Sequence, residues 1–128
     1  MSNTTRQTGR QGENAACDWL AKNGYSVVRR NYVSPHGEID IIAEDEQYIV
    51  FVEVKYRKNS FHLAKYGRPV HAVTKQKRER IIYTAKHYLN AYKPTKRPRL
   101  DIIEIISNAE LDGFTSLQIK HYKNAFGE

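Results

Sequence analysis

Apolar residues recur along this chain with two different periods, and the switches between them lay out seven elements. Between Gly9 and Asn23, Ala15, Ala16, Trp19 and Leu20 form one stripe at helical spacing, and Asn23-Gly24 is a stop signal. "YSVVRRNYV" then reads as a strand, and Ser34 to Gly37 as a turn. "GEIDIIAEDEQYIVFVEVKYR" reads as a hairpin of two apolar strands turning within Glu44 to Gln47. Residues 57 to 72 form a long basic segment with Gly67 and Pro69, expected to be a loop. From Val73 to about Tyr92 the helical period returns, with Ile81, Ala85, Tyr88, Leu89 and Tyr92 on one face. "KPTKRPR" is expected to be a linker, because Pro94 and Pro98 interrupt regular structure. "LDIIEII" is a further buried strand and "FTSLQIKHY" a last, more exposed one. The order α-β-β-β-α-β-β predicts an α/β domain in which helices flank a mixed central sheet.

Length favours one domain, expected over residues 9–122 between a disordered lead-in, 1–8, and a short tail, 123–128. A hydrophobic fraction of 40% and a charged fraction of 27% suit a soluble globular chain. No apolar run is long enough to span a bilayer, so no membrane partner is expected. The polar opening "MSNTTRQTGRQGE" is not that of a secretory signal. A single cysteine, Cys17, excludes an internal disulfide and a cysteine zinc site, and the expected setting is cytoplasmic. Charge changes the picture more. The chain carries 21 Lys and Arg against 14 Asp and Glu, a net +7, and the cations cluster in "YRKNSFHLAKYGR", "TKQKRER" and "YKPTKRPR". Such an excess suits a polyanionic partner, nucleic acid above all, whose counterions the cations release.

Against that basic background the hairpin holds acids where apolar side chains belong. On a strand Glu53 and Lys55 point the same way. A hairpin turning through two or four residues centred on Asp45-Glu46 sets Asp40 opposite Phe51 and Glu38 opposite Glu53, which gathers Glu38, Asp40, Glu53 and Lys55 on one face. Carboxylates among aliphatic residues repel each other and lose hydration, at a cost of several kcal/mol if nothing offsets it. One offset is a structural ion pair of Lys55 with Glu53 or Asp40. The other is a hard divalent cation, Mg²⁺ or Mn²⁺, with oxygen ligands and open positions for phosphate. A basic surface around an acidic centre favours the second, since metal-assisted phosphodiester cleavage needs both. Glu13 lies on or beside the first helix's apolar stripe and is a candidate to complete the metal shell, although a helix-start acid is also favoured by the helix dipole. Lys77, four residues before Ile81, continues the inward face of the second helix and is a candidate phosphate contact.

"GEIDII" followed by "VFVEVK", within "GRQGENAACDWLAKNGYSVVRRNY" to "RPRLDIIEI", resembles the YraN-like family, itself similar to archaeal Holliday-junction resolvases and the PD-(D/E)xK nuclease fold. The resemblance covers nearly the whole domain and implies a restriction-endonuclease-like α-β-β-β-α-β core. It implies Asp40 and Glu53 as metal ligands, Lys55 as the catalytic lysine and Glu13 as the helix acid. In "YGRPVHAVTKQK", Gly67, Pro69 and Val73 match the family's G-x-P…A-V-T stretch and Lys77 its helix lysine, and Asp101 matches the acid of its closing strand. Arg78, where the family often has glutamine, and His62 and His71 depart from the pattern.

The reading that joins residues and resemblance is a metal-dependent endonuclease acting on DNA, on branched or structured DNA rather than a sequence motif. Arg57, Lys58, Lys65, Arg68, Lys75, Lys77 and Arg78 are the expected phosphate contacts, and Tyr56 and Tyr66 are candidates to stack on unpaired bases. Cutting a symmetric junction would call for a homodimer. The alternative is a catalytically silent nucleic-acid-binding module with the same fold, serving recombination, repair or DNA uptake.

Overall fold

The computed structural model describes residues 4–59, 73–109 and 115–125. Among these residues two helices and five strands follow one another as α1 (Thr4–Lys22), β1 (Ser26–Ser34), β2 (Gly37–Glu44), β3 (Tyr48–Asn59), α2 (Lys75–Tyr92), β4 (Arg97–Ala109) and β5 (Thr115–Tyr122). The strands form one sheet in the order β1-β2-β3-β4-β5, antiparallel except for the parallel β3–β4 pair. A parallel pair needs a crossover, and α2 supplies it. This is the α/β class with an α-β-β-β-α-β core.

The central strands read as near-continuous apolar runs because both faces are covered. On one face Ala16 and Leu20 of α1 pack on Ile41, Ala43, Val50, Val52, Ile103 and Ile105. On the other, Ile81, Ala85 and Tyr88 of α2 pack on Ile39, Ile42, Ile49, Phe51 and Ile102. At about 1.5–3 kcal/mol per fully buried aliphatic or aromatic side chain, these two layers dominate the folding free energy. Gly24, at φ +89°, ends α1, with Tyr25 N donating to Leu20 O at 2.9 Å. Thr74 caps α2, its hydroxyl accepting from Lys77 N at 3.1 Å.

Several boundaries differ from the sequence reading. α1 starts at Thr4 rather than Gly9, so residues 4–8 are helix and not lead-in. β3 continues to Asn59, which turns residues 57–59 of the expected loop into strand. β4 begins at Arg97 and includes Pro98, which is tolerated at the start of a strand. Residues 123–125, expected as tail, fold back, with Ala125 N donating to Leu100 O at 2.8 Å. Lys65, Arg68, Tyr66, Gly67, Pro69, His62 and His71 lie outside the described residues.

The hairpin register is shifted by two residues from the expected one: Ile42 pairs with Phe51 and Ile41 with Val52. The cause is Asp45, whose carboxylate accepts from Gln47 N at 2.8 Å and Tyr48 N at 2.7 Å and so centres the turn on Glu46-Gln47. An even shift leaves the paired segment, residues 41–44 with 49–52, on its expected faces. Two further features shape the far end of the hairpin. The Arg30–Ile41 and Tyr32–Ile39 pairs bracket Asn31 and Asp40, and Asn31 adopts φ +54°, which asparagine tolerates better than most residues. Ile39 packs in the α2 layer but Ile41 in the α1 layer, so strict alternation breaks at Asp40.

The turn before β2 is pressed against α2. Ser34 Oγ and Thr84 Oγ1, both buried, lie 2.8 Å apart, and a Cβ added to Gly37 would stand 3.1 Å from Thr84 Oγ1 and 3.3 Å from Arg80 O. Gly37→Ala is therefore expected to destabilise the fold by about 1 kcal/mol through overpacking, seen as a lower urea midpoint at unchanged slope.

Candidate active site

The charged residues of the hairpin meet where β2 and β3 part. Their last pair at this end is Ile41–Val52, while β3 stays paired with β4 through Asn59. Asp40 takes over the lost ladder bond, its Oδ2 accepting from Val54 N at 2.8 Å. The parting opens a cleft of about 430 Å³ between the sheet and the start of α2, lined by Gly37, Glu38, Asp40, Glu53, Thr74, Gln76, Lys77, Arg80 and Ile81.

Glu53 is only 7% exposed and follows Phe51 on the α2 face, whereas Val52 and Val54 belong to the α1 layer. Two ammonium groups attend its Oε1: Lys77 Nζ at 2.8 Å and Lys55 Nζ at 3.6 Å. Among the described residues Asp40 makes no ion pair that close, although its charge also acts on Lys77. Desolvation, then the neighbouring Glu53 charge, push its carboxyl up from 3.8 to about 7, against the stabilising bond from Val54 N. The lysines diverge as well. Desolvation and the adjacent Lys77 lower Lys55 although Glu53 opposes this. Burial also acts to lower Lys77, but its hydrogen bonds to Glu53 and Lys55 outweigh it and raise that ammonium. Of the two amines, Lys55 gives up its proton more readily.

The end of α2 adds a fixed field. Thr74, Gln76 and Lys77 at its first turn all line the cleft, so the positive pole of the helix faces Asp40 and Glu53. That turn holds no acid and carries Lys75, Lys77 and Arg78, a placement the dipole disfavours and an anionic ligand would offset. Arg80, three residues after Lys77 and on the same side of the helix, also lines the cleft. The sequence places it among the basic residues of the 75–80 helix start without singling it out, although its spacing from Lys77 was the available signal.

Other candidates stand apart. Glu13 on α1 pairs with Arg30 Nη2 at 3.4 Å and does not line the cleft; its charge reaches Asp40 only as a secondary influence. Arg57 shares the face of Glu53 and Lys55, with its Nε 3.0 Å from Oε2 of the buried Glu104. Lys58 is exposed on the alternate side of β3. Lys75 is exposed and Arg78 partly buried, neither lining the cleft. Tyr56 packs in the α1 layer, where its ring lies 3.4 Å from a Cβ built on Gly12, so it is a packing residue rather than a stacking platform. Asp101 is fully buried in the opposite layer from Glu53, bound to Arg99 Nε at 2.9 Å, Arg99 Nη2 at 2.8 Å, His121 Nε2 at 2.7 Å and Asn124 N at 2.9 Å. With all these partners it is a structural acid.

Asp40 and Glu53 in this cleft are oxygen donors of the kind a hard divalent cation takes. Among the described residues no third acid, histidine or cysteine joins them around one point.

The order of elements and the acids and lysine gathered on one face of the sheet define an α/β domain of nuclease-like architecture. Within that class the chain belongs to the Uncharacterised protein family UPF0102, whose profile matches residues 12–105. A UPF0102 protein of Chlorobium phaeobacteroides is 40% identical over 129 residues, covering 98% of each chain. One of Clostridium acetobutylicum is 38% identical over 127 residues, again 98% of each. One of Coxiella burnetii is 36% identical over 113 residues, 87% of this chain and 91% of the relative. The family resemblance seen in the sequence therefore holds over almost the full length.

Proposed function

We propose that this protein is a metal-dependent endonuclease acting on DNA, on branched or structured substrates, in the cytoplasm. The observation that carries this reading is the cleft beside the N-terminus of α2, where Asp40, Glu53 and Lys77 meet and Lys55 Nζ stands 3.6 Å from Glu53 Oε1. Asp40 and Glu53 would hold Mg²⁺ or Mn²⁺, which when bound would polarise a phosphoryl oxygen and make water a better nucleophile. Lys55, its Nζ 3.6 Å from Glu53 Oε1, would orient the attacking water and offset the charge that develops on it. Lys77 and Arg80 face the same space and bind the non-bridging oxygens of the scissile phosphate, with the α2 pole behind them. A homodimer would let two clefts cut a symmetric junction.

The test is a cleavage panel of branched, nicked, single-stranded and duplex DNA, with RNA counterparts, at several Mn²⁺ and Mg²⁺ concentrations. Lys55→Ala is expected to lower the cleavage rate about 10²- to 10⁴-fold while leaving DNA binding in chelator unchanged. Absence of cleavage by the wild type on every substrate would sink the enzyme reading.

One observation favours a second reading, a module that binds nucleic acid without cutting it. Glu53 is already engaged by two lysines. In that case Lys77 is the permanent counter-ion, and salt-sensitive binding proceeds without metal and survives Asp40→Ala.

A further inference from the structure

Beyond the cleft, the turn before β2 and the flank of α2 bring two aromatic rings together in solvent. Tyr83 is 44% exposed, a large apolar surface for one helix residue. Its ring meets that of His36, also exposed, edge to face with centroids 4.7 Å apart and an interplanar angle of 88°. Both are joined to residues that line the cleft. His36 precedes Gly37, and Tyr83 lies three residues, about one turn, beyond Arg80. The mounting is rigid. His36 N donates to Ser34 Oγ at 3.3 Å, Ser34 Oγ meets Thr84 Oγ1 at 2.8 Å, and Thr84 Oγ1 donates to Arg80 O at 2.8 Å. The buried hydroxyls thus tie the turn that carries His36 to the helix turn that carries Tyr83.

We propose that Tyr83 and His36 form a stacking platform for an unpaired nucleobase of the strand whose phosphate enters the cleft. It rests on the nucleic-acid reading of that cleft and names the feature of the substrate the site selects: a base freed from its pair. In duplex DNA base faces are covered by their neighbours, so an exposed ring rewards only a strand that is single or locally opened. The phosphate contacts, Lys77 and Arg80, are indifferent to base pairing. The aromatic pair is what distinguishes an opened strand from a closed one. A ring held by a hydrogen-bonded turn loses little freedom on binding, which makes the stacking contribution usable.

Binding of the full chain to a labelled oligothymidylate, and to a duplex of equal length, measured by fluorescence anisotropy in EDTA, tests this without any cleavage. Tyr83→Ala is expected to weaken single-strand binding by about 5- to 150-fold while Tyr83→Phe, which keeps the ring, stays within about twofold of wild type. Duplex affinity is expected to be the same for all three proteins. A 2-aminopurine base in the single strand is expected to be quenched by wild type and by Tyr83→Phe but not by Tyr83→Ala. Equal losses on both nucleic acids, or no loss on the single strand, overturn the platform while leaving the cleft's affinity for phosphate intact. If wild type binds neither nucleic acid, the platform and the nucleic-acid reading of the cleft fall together.

Discussion

Asp40→Asn is expected to make the metal-free protein more stable at pH 8 than the wild type, and at the same time to abolish the divalent-ion response and the DNA cleavage that the proposed function assigns to it. The carboxyl is raised to about 7 by desolvation and by Glu53, so at pH 8 the native state holds a charge it would rather not have. The sign follows from proton counting. Unfolded, Asp40 loses its proton near 3.8; folded, it keeps it until about 7. Between those values the native state binds the extra proton, so stability falls as pH rises through the window and changes no further above it. The full linkage is worth roughly 4 kcal/mol, and solvent reaching the cleft reduces it to about 2. Asparagine keeps an acceptor for Val54 N and removes the charge. Thermal melts of both proteins from pH 4 to pH 8 are the measurement. The curves should coincide near pH 4 and separate progressively, with the variant higher at pH 8. At pH 8 saturating Mn²⁺ should raise the wild-type melting point, by the equivalent of about 2.7 kcal/mol at a hundredfold excess over Kd, and leave the variant's in place. A variant that melts below wild type at pH 8 would show that Asp40 is a structural acid after all.

Asp101→Ala should have the opposite character, a large loss of stability at neutral pH. Asp101 sits at zero exposure with Arg99 on both oxygens, and His121 and Asn124 N complete its shell. Trp19 Nε1, which only donates, lies 3.3 Å from His121 Nδ1, so His121 Nε2 carries the hydrogen directed at Asp101. Removing the carboxylate leaves the guanidinium and imidazole buried without it, a loss of about 3–5 kcal/mol in a domain whose total is of order 5–15. Urea titration reads this directly. Burial alone would raise Asp101, but the hydrogen bonds from His121, Arg99 and Asn124 outweigh it and hold it below the usual carboxylate range. Its stabilisation is therefore full above the unfolded value near 3.9 and is lost as pH falls below it, the reverse of the Asp40 dependence. The gentler Asp101→Asn variant, once folded, should cleave DNA at the wild-type rate, which separates this acid from the two in the cleft.

How far the sequence reached can be judged residue by residue. The parity of Glu53 and Lys55 on one strand is a property of extended backbone and needed no coordinates. Asp40 was expected beside them by the same parity, but alternation breaks at that residue, and the bond from Val54 N is what fixes it against β3. The apolar runs "IVFV" and "IIEII" announced a sheet covered on both sides, and the stripes on the two helices announced what covers it. The clusters of Lys and Arg around this acidic centre were equally plain.

What the tertiary structure decided are the matters that depend on long-range packing. The register itself came from Asp45 closing its own turn, a choice among neighbouring solutions with similar local energy. Asp101 and Glu53 lie on adjacent strands with identical surroundings in the sequence, apolar on either side, yet face opposite layers because of the parallel register that pairs Asp101 with Val52. Glu13 was placed by a helical stripe that cannot say which cation it will meet, and it met Arg30. Arg80 and Tyr83 entered the neighbourhood of the cleft because α2 docks on the sheet through Ile81, Ala85 and Tyr88, with Thr84 tied to Ser34 across the domain. Periodicity reports which side of an element a residue occupies. Which elements face each other across a gap is set by packing between distant segments, and no local pattern encodes it.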